Sequence, residues 1–257
     1  PKTVPESNLS ILVRVWGFRL SFAEICAGNP FGFCVCFDGM DGRMGTNING
    51  PSLIRAPDWL PNPLGRYYLY FAHHNGTYIR LAVSDSLTGP WRMHEAGVLD
   101  LADSYFIDHI ASPDIYIDDD AQKIRLYFHG RTGYKPDGSQ IQGTRVAESS
   151  DGLNFTIHEP DIGPAYFKVF QQNGAYFALA RSAELLSSPD GFQPFESFGV
   201  PEGFPANIRH VAIWRRSATE MTVFHTVIGE APEVIYACTF HMDLSLIHIS
   251  EPTRLSV

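Results

Sequence analysis

Ser112-Pro-Asp-Ile-Tyr-Ile117, Ile124-Arg-Leu-Tyr-Phe-His129 and Thr144-Arg-Val-Ala-Glu-Ser-Ser-Asp-Gly152, closed by Phe155, form three short runs separated by turns. Each run is rich in aromatic and β-branched residues, which suit a pleated, half-buried surface. The same phrasing precedes it in Gly50-Pro-Ser-Leu-Ile-Arg55, Tyr67-Tyr-Leu-Tyr-Phe-Ala-His-His74 and Tyr78-Ile-Arg-Leu-Ala-Val-Ser-Asp85, closing at Gly89-Pro-Trp91. A third copy runs through Gly163-Pro-Ala-Tyr-Phe-Lys-Val-Phe170, Ala175-Tyr-Phe-Ala-Leu-Ala-Arg181 and Glu184-Leu-Leu-Ser-Ser-Pro-Asp-Gly191, with Phe195. The fourth is Arg209-His-Val-Ala-Ile-Trp214, Met221-Thr-Val-Phe-His-Thr226 and Val234-Ile-Tyr-Ala-Cys-Thr-Phe240. Turn pairs such as Asn75-Gly76, Asp137-Gly138 and Asn173-Gly174 punctuate the runs. Three or four antiparallel strands recurring at roughly 45–60 residues predict the blades of a β-propeller. A jelly roll or sandwich would lack the repeated Ser-x-Asp-Gly closure.

Composition agrees with an all-β reading. The 257 residues carry 44% apolar and 18% charged side chains, enough to bury a core and too little charge for a disordered chain. Eighteen Phe, 11 Tyr, 22 Gly and 18 Pro favour short strands and tight turns. A net charge of −9 argues against nucleic acid or an anionic membrane as partner, since both need clustered Lys and Arg. Cys26, Cys34, Cys36 and Cys238 have neither zinc-knuckle spacing nor the arrangement of a disulfide framework, so free thiols are expected.

Three segments are expected. Residues 1–37 read as an N-terminal extension; Arg14, Arg19 and Glu24 interrupt its apolar run, which disfavours a spanning helix or a signal peptide. Residues 38–243 read as the propeller. At the other end, Leu244-Ser-Leu-Ile-His-Ile-Ser-Glu-Pro-Thr-Arg254 matches the translation of a transposon-type sequencing adapter. On that reading residues 244–257 pack loosely and add no strand, His248 and Glu251 carry no function, and a fifth blade is missing after Asp243.

Blade geometry selects candidate site residues. The start of each first strand and the end of each second strand converge on one mouth of the axial channel. Strand starts offer Asn49, His109, Asp114, Tyr166, Arg209 and His210; strand ends offer His73, His74, His129, Arg181 and His225. Six of the 10 histidines fall at these positions. Convergent polar groups with aromatics describe a small-molecule site. His74 and His225 are equally explained by satisfying blade-edge backbone groups. Arg131 and Arg181 suit sugar hydroxyls, a carboxylated sugar or a structural ion pair, and Asp118-Asp-Asp120 reads as a solvated hairpin turn.

The Pro-Asp-Ile and Tyr-Leu-Tyr-Phe phrasing, from about Asn47 to Asp243, resembles the five-bladed propellers of family 43 glycoside hydrolases and their relatives. The resemblance implies a five-bladed all-β propeller, here reduced to about four blades, acting on a plant or algal oligosaccharide. Glycoside hydrolysis normally uses two carboxyl groups flanking the scissile bond. Family 43 members are similar in placing an Asp before Pro on the first blade, an Ile-Asp-Pro on a later one and a Glu before Gly-Pro as acid. Here Gly50-Pro51 and Ile162-Gly163-Pro164 stand at the first two places, and Arg209-His210 begins the fourth blade. The expected catalytic groups are therefore Asp114 or Asp108 as base with His109 or His210 as proton donor. Asn49, His73, His129, Arg131, Tyr166, Arg181 and Arg209 are the expected sugar-binding groups. The alternative is a propeller that binds carbohydrate without cleaving it. No cofactor is expected, with an axial calcium ion the minor alternative.

Overall fold

The computed structural model describes residues 48–73, 76–205, 207–231, 234–242, 247–249 and 253–254. The expected extension, Cys26, Cys34, Cys36 and His74 lie outside them, as do the side chains of Arg209, residues 247–249 and residues 253–254. The chain is an all-β propeller whose four sheets are four blades, each meandering in sequence order. No helix among the described residues is long and apolar enough to cross a membrane.

The first two blades belong to one compact unit, which ends at Asp161, and the last two to a second. In the first unit, β1 (Asn49–Arg55), β2 (Tyr67–Ala72), β3 (Tyr78–Ser84) and β4 (Arg92–Asp100) make one blade. β5 (Ile110–Asp118), β6 (Lys123–Tyr134), β7 (Gln140–Ser149) and β8 (Thr156–Gly163) make the next. In the second unit, β9 (Lys168–Gln172), β10 (Ala175–Leu179), β11 (Leu185–Ser188) and β12 (Glu196–Gly199) form one blade. The other has β13 (Ile208–Arg215), β14 (Glu220–Val227) and β15 (Tyr236–Met242).

Strand composition follows burial. Every residue of β2 and β3 is buried; β2 reads as a continuous apolar run, and β3 as one interrupted by Arg80. Tyr68, Tyr70, Ile79 and Leu81 from these strands join Ile110, Ile115, Leu126 and Phe128 in one core shared by the two blades. The second unit has its own core, around Phe170, Leu185, Ile208, Val223 and Phe240. The outermost strands β8 and β12 are largely exposed, and β4 is exposed or half-buried over residues 92–96 before residues 97–99 turn inward, which is why no long apolar run announces them.

The recurrent closing turn has a physical cause. Asp151 Oδ1 accepts the backbone N–H of Leu153 and of Asn154, each at 2.8 Å, while the Ser149 hydroxyl donates to it at 2.8 Å. Partial desolvation would raise the carboxyl pKa, but these bonds outweigh it and hold it at about 2. Asp190 repeats the arrangement with Phe192, Gln193 and Ser188, again at about 2. Gly152 is needed at the first turn: its φ is +72°, and its carbonyl accepts the Tyr70 hydroxyl at 2.9 Å.

Two expectations are corrected. β6 does not stop at His129 but runs five residues further, so His129 lies within the strand. The tail does add strands: Ile247–Ile249 (β16) and Thr253–Arg254 (β17) both pair antiparallel with β15. The free edge of β15 presents a row of backbone donors and acceptors, and the alternating Leu-Ile-His-Ile string suits such an edge.

Candidate functional site

Within each blade, register brings the start of the first strand to the end of the second. Asn49 pairs with Ala72 and Ile110 with Gly130. In the first unit the two first strands also meet at this end. Ser112 donates its hydroxyl to Asn49 Oδ1 at 3.1 Å, and Ser52 accepts the Ile115 N–H at 3.0 Å. The approach is so close that a Cβ on Gly50 would lie 2.5 Å from Ser112 Cα. A side chain at residue 50 therefore requires β1 and β5 to shift apart.

The expected residues of this unit separate into an inner and an outer group. Asp114, on β5 after the bulge between Ala111 and Asp114, is 1% exposed and His129 is 2% exposed. His109 packs edge-on against His129, ring centroids 6.1 Å apart. His73 is half-buried, and its carbonyl accepts the Gly76 N–H at 3.0 Å. The outer group centres on Asp108, whose side chain is 39% exposed. His109 Nδ1 lies 3.2 Å from Asp108 Oδ1, Arg131 Nη1 donates to Oδ2 and to the Tyr134 hydroxyl, and that hydroxyl lies 3.3 Å from Oδ2. Desolvation pushes the Asp108 pKa up, but His109, the Arg131 charge and Tyr134 together pull it below the usual carboxylate range. Where Nδ1 of His109 donates to Asp108, its Nε2 accepts from Gln142 Nε2 at 3.5 Å.

Tyr134 and Gln142 were missed because they lie beyond the strand end assigned at His129. The polar alternation of Gln140-Ile-Gln142 was the available signal. Arg80 was also missed. It is fully buried on β3 over the Phe71 ring at 4.4 Å, and desolvation lowers its pKa to about 10.

In the second unit, Tyr166 has φ +71° ahead of β9 and packs edge-on against His210, centroids 5.2 Å apart. Arg181 is exposed in a 3-10 turn after β10, not on the strand. His225 is 1% exposed, stacked on Tyr236 at 5.6 Å, and burial lowers its pKa to about 4. Backbone alone places Arg209 in β13. Asp118 and Asp119 are engaged at the far hairpin, by Arg125 at 2.9 Å and by the Trp59 indole N–H at 2.8 Å. A cavity of about 600 Å³ opens near that far end of the first blade, lined by Arg55, Asp58, Arg66 and Asp85 and by none of the expected site residues. Among the described residues no cluster of three or more His, Cys, Asp or Glu is placed to hold a metal ion.

No family model matches the chain. It is 32% identical over 220 residues to an uncharacterized protein of Acanthamoeba polyphaga mimivirus; the match covers 74% of this chain and spans 61% of the relative's length. Among solved structures it resembles a family 43 arabinoxylan arabinofuranohydrolase from Bacillus subtilis, with TM-score 0.58 and 16% identity over 83% of this chain and 52% of that one. It also resembles an endo-1,4-beta-xylanase from Bacteroides thetaiotaomicron, with TM-score 0.58 and 15% identity over 82% and 79%. A family 32 beta-fructofuranosidase from Bombyx mori matches with TM-score 0.53 and 13% identity over 77% and 47%. The chain has the propeller fold of these glycoside hydrolases.

Proposed function

We propose that the chain is a carbohydrate-active propeller, a glycoside hydrolase-like protein acting on an oligosaccharide of plant or algal type. The observation that carries the reading is the Asp108 carboxylate, accessible to solvent yet fixed by His109, Arg131 and Tyr134. A carboxylate whose pKa is pulled down stays ionised at neutral pH, which suits a base, a nucleophile or an acceptor of sugar hydroxyls, and not a proton donor. His109, linked to Asp108 and Gln142, is the adjacent group able to carry a proton. Asp114, 1% exposed, serves as an organising carboxylate and not as one that touches substrate.

Binding without cleavage is the second reading. Its support is the burial of Asp114, which leaves Asp108 as the accessible carboxylate of this pair. Incubation with arabino-, xylo- and fructo-oligosaccharides, followed by reducing-end release and calorimetric titration, separates the two. Turnover abolished by Asp108→Asn supports the enzyme; binding without turnover supports the second reading. Neither binding nor turnover on any of these sugars overturns both.

A further inference from the structure

The second blade carries an arm that packing does not explain. β6 has 12 residues and β7 has 10, against 6 and 7 for β2 and β3 at the same places in the first blade. The additional length pairs Arg131 with Gln142, Gly133 with Ile141 and Tyr134 with Gln140. A hydrogen-bonded turn closes it, Lys135 donating to the Ser139 carbonyl at 2.8 Å and Gly138 to the Lys135 carbonyl at 2.9 Å. Tyr134 is 54% exposed and Ile141 42%, and neither joins a core cluster. An arm that buries so little is not retained for stability through the hydrophobic effect.

Its chemistry is directional. The Tyr134 ring is exposed while its hydroxyl is tied to Arg131 and Asp108, and the guanidinium carbon sits 5.0 Å from the ring centroid. The ring is thus immobilised without being covered, so a ligand that stacks on it meets a preorganised surface. Arg131 spends Nη1 on Asp108 and Tyr134, while its Nη2 makes no hydrogen bond to any described residue and is not sealed from solvent. Nη2 donors beside an exposed carboxylate form a planar pair of opposite polarity, which fits two adjacent hydroxyls, one accepting and one donating. Gln140 and Gln142 line the same arm with further amide groups.

We propose that this arm is a sugar-stacking subsite that binds a second unit of an oligosaccharide, beyond the unit held at Asp108. Tyr134 is its platform, and Arg131 Nη2 donates to a hydroxyl of the stacked unit while the Asp108 carboxylate accepts from the unit next to it. The proposal rests on the carbohydrate-active reading above and narrows the ligand to chains of at least two units.

The test titrates wild type, Tyr134→Ala and Tyr134→Phe with mono- to hexasaccharide ladders of arabinan and xylan. Thermal melts of each variant accompany the titrations. Wild-type affinity is expected to rise with chain length. Tyr134→Ala should weaken binding of the longer chains about tenfold more than that of the monosaccharide and melt with wild type. Tyr134→Phe, which keeps the ring face but loses the hydroxyl that fixes it, should fall between wild type and Tyr134→Ala for long chains. Equal affinity of Tyr134→Ala and wild type at every length overturns the subsite and leaves the proposed function standing. Equal weakening at every length with a lower melting point also overturns it, by assigning Tyr134 a structural role. A wild type that binds neither ladder at any length overturns the subsite, and the proposed function then stands or falls on the wider sugar set.

Discussion

Replacing Asp151 with Ala probes the turn that recurs between blades. The substitution leaves the backbone N–H groups of Leu153 and Asn154, the Asn154 amide and the Ser149 hydroxyl without their common acceptor. It also loosens the turn whose Gly152 carbonyl receives the buried Tyr70 hydroxyl. The folded carboxyl sits at about 2 against an ordinary 3.8. At about 1.36 kcal/mol per unit that difference has a ceiling of roughly 2.4 kcal/mol. The side chain is only partly withdrawn from water, and screening brings the figure to about 1–1.5 kcal/mol. That is the range for removing an acceptor that caps backbone N–H groups. A loss of that size should lower Tm by about 3–6 °C at neutral pH. Because the folded pKa is depressed, the stabilisation is present above the unfolded pKa and is lost as pH falls through the folded value. The deficit of the variant should therefore shrink below about pH 4 and reach roughly half by about pH 3. Urea unfolding across that range reads it. A Tm within about 1 °C of wild type, or a deficit as large at about pH 3 as at neutral pH, would refute the reasoning.

Further outcomes follow from the same structure. Gly50→Ala should destabilise by about 1–3 kcal/mol, because the new Cβ meets Ser112 Cα at 2.5 Å and φ is +50°; denaturant unfolding checks it, and a neutral result would show that β1 and β5 move apart easily. His225 is held neutral with its pKa lowered from 6.5 to about 4, so the unfolded chain binds the extra proton between those values. Stability should be full above about pH 6.5 and fall by up to about 3 kcal/mol on the way to about pH 4. His225→Phe, keeping the stack on Tyr236, should flatten that slope; an unchanged slope assigns it to other groups.

What the sequence determined by itself is local. Short aromatic and β-branched runs bounded by turns define β2, β6 and β10; pairing buries all of β2, residues 124–130 of β6 and part of β10. The Ser-x-Asp-Gly closures at Asp151 and Asp190 were equally legible, since a carboxylate capping its own turn needs only neighbours in sequence. Antiparallel register sets Asn49 opposite Ala72 and Ile110 opposite Gly130, whereas Asp114 lies mid-strand opposite Tyr127. Edge strands β8 and β12 and the first half of β4 escaped, because exposure leaves them without an apolar signature.

Tertiary structure alone decided the rest. Whether Asp108 or Asp114 meets solvent depends on the bulge in β5 and on which strands cover it, and no spacing in the chain encodes that. The partnership of Asp108, Arg131 and Tyr134 joins residues 23 and 26 positions apart through the register of β6 and the loop before β5. The pairing of Ile247–Ile249 and Thr253–Arg254 with β15 arose from an open strand edge, whose backbone groups accept any string able to alternate. Local pattern reports what a segment buries; which side chains face one another is set by contacts between segments, and those exist only once the blades have formed.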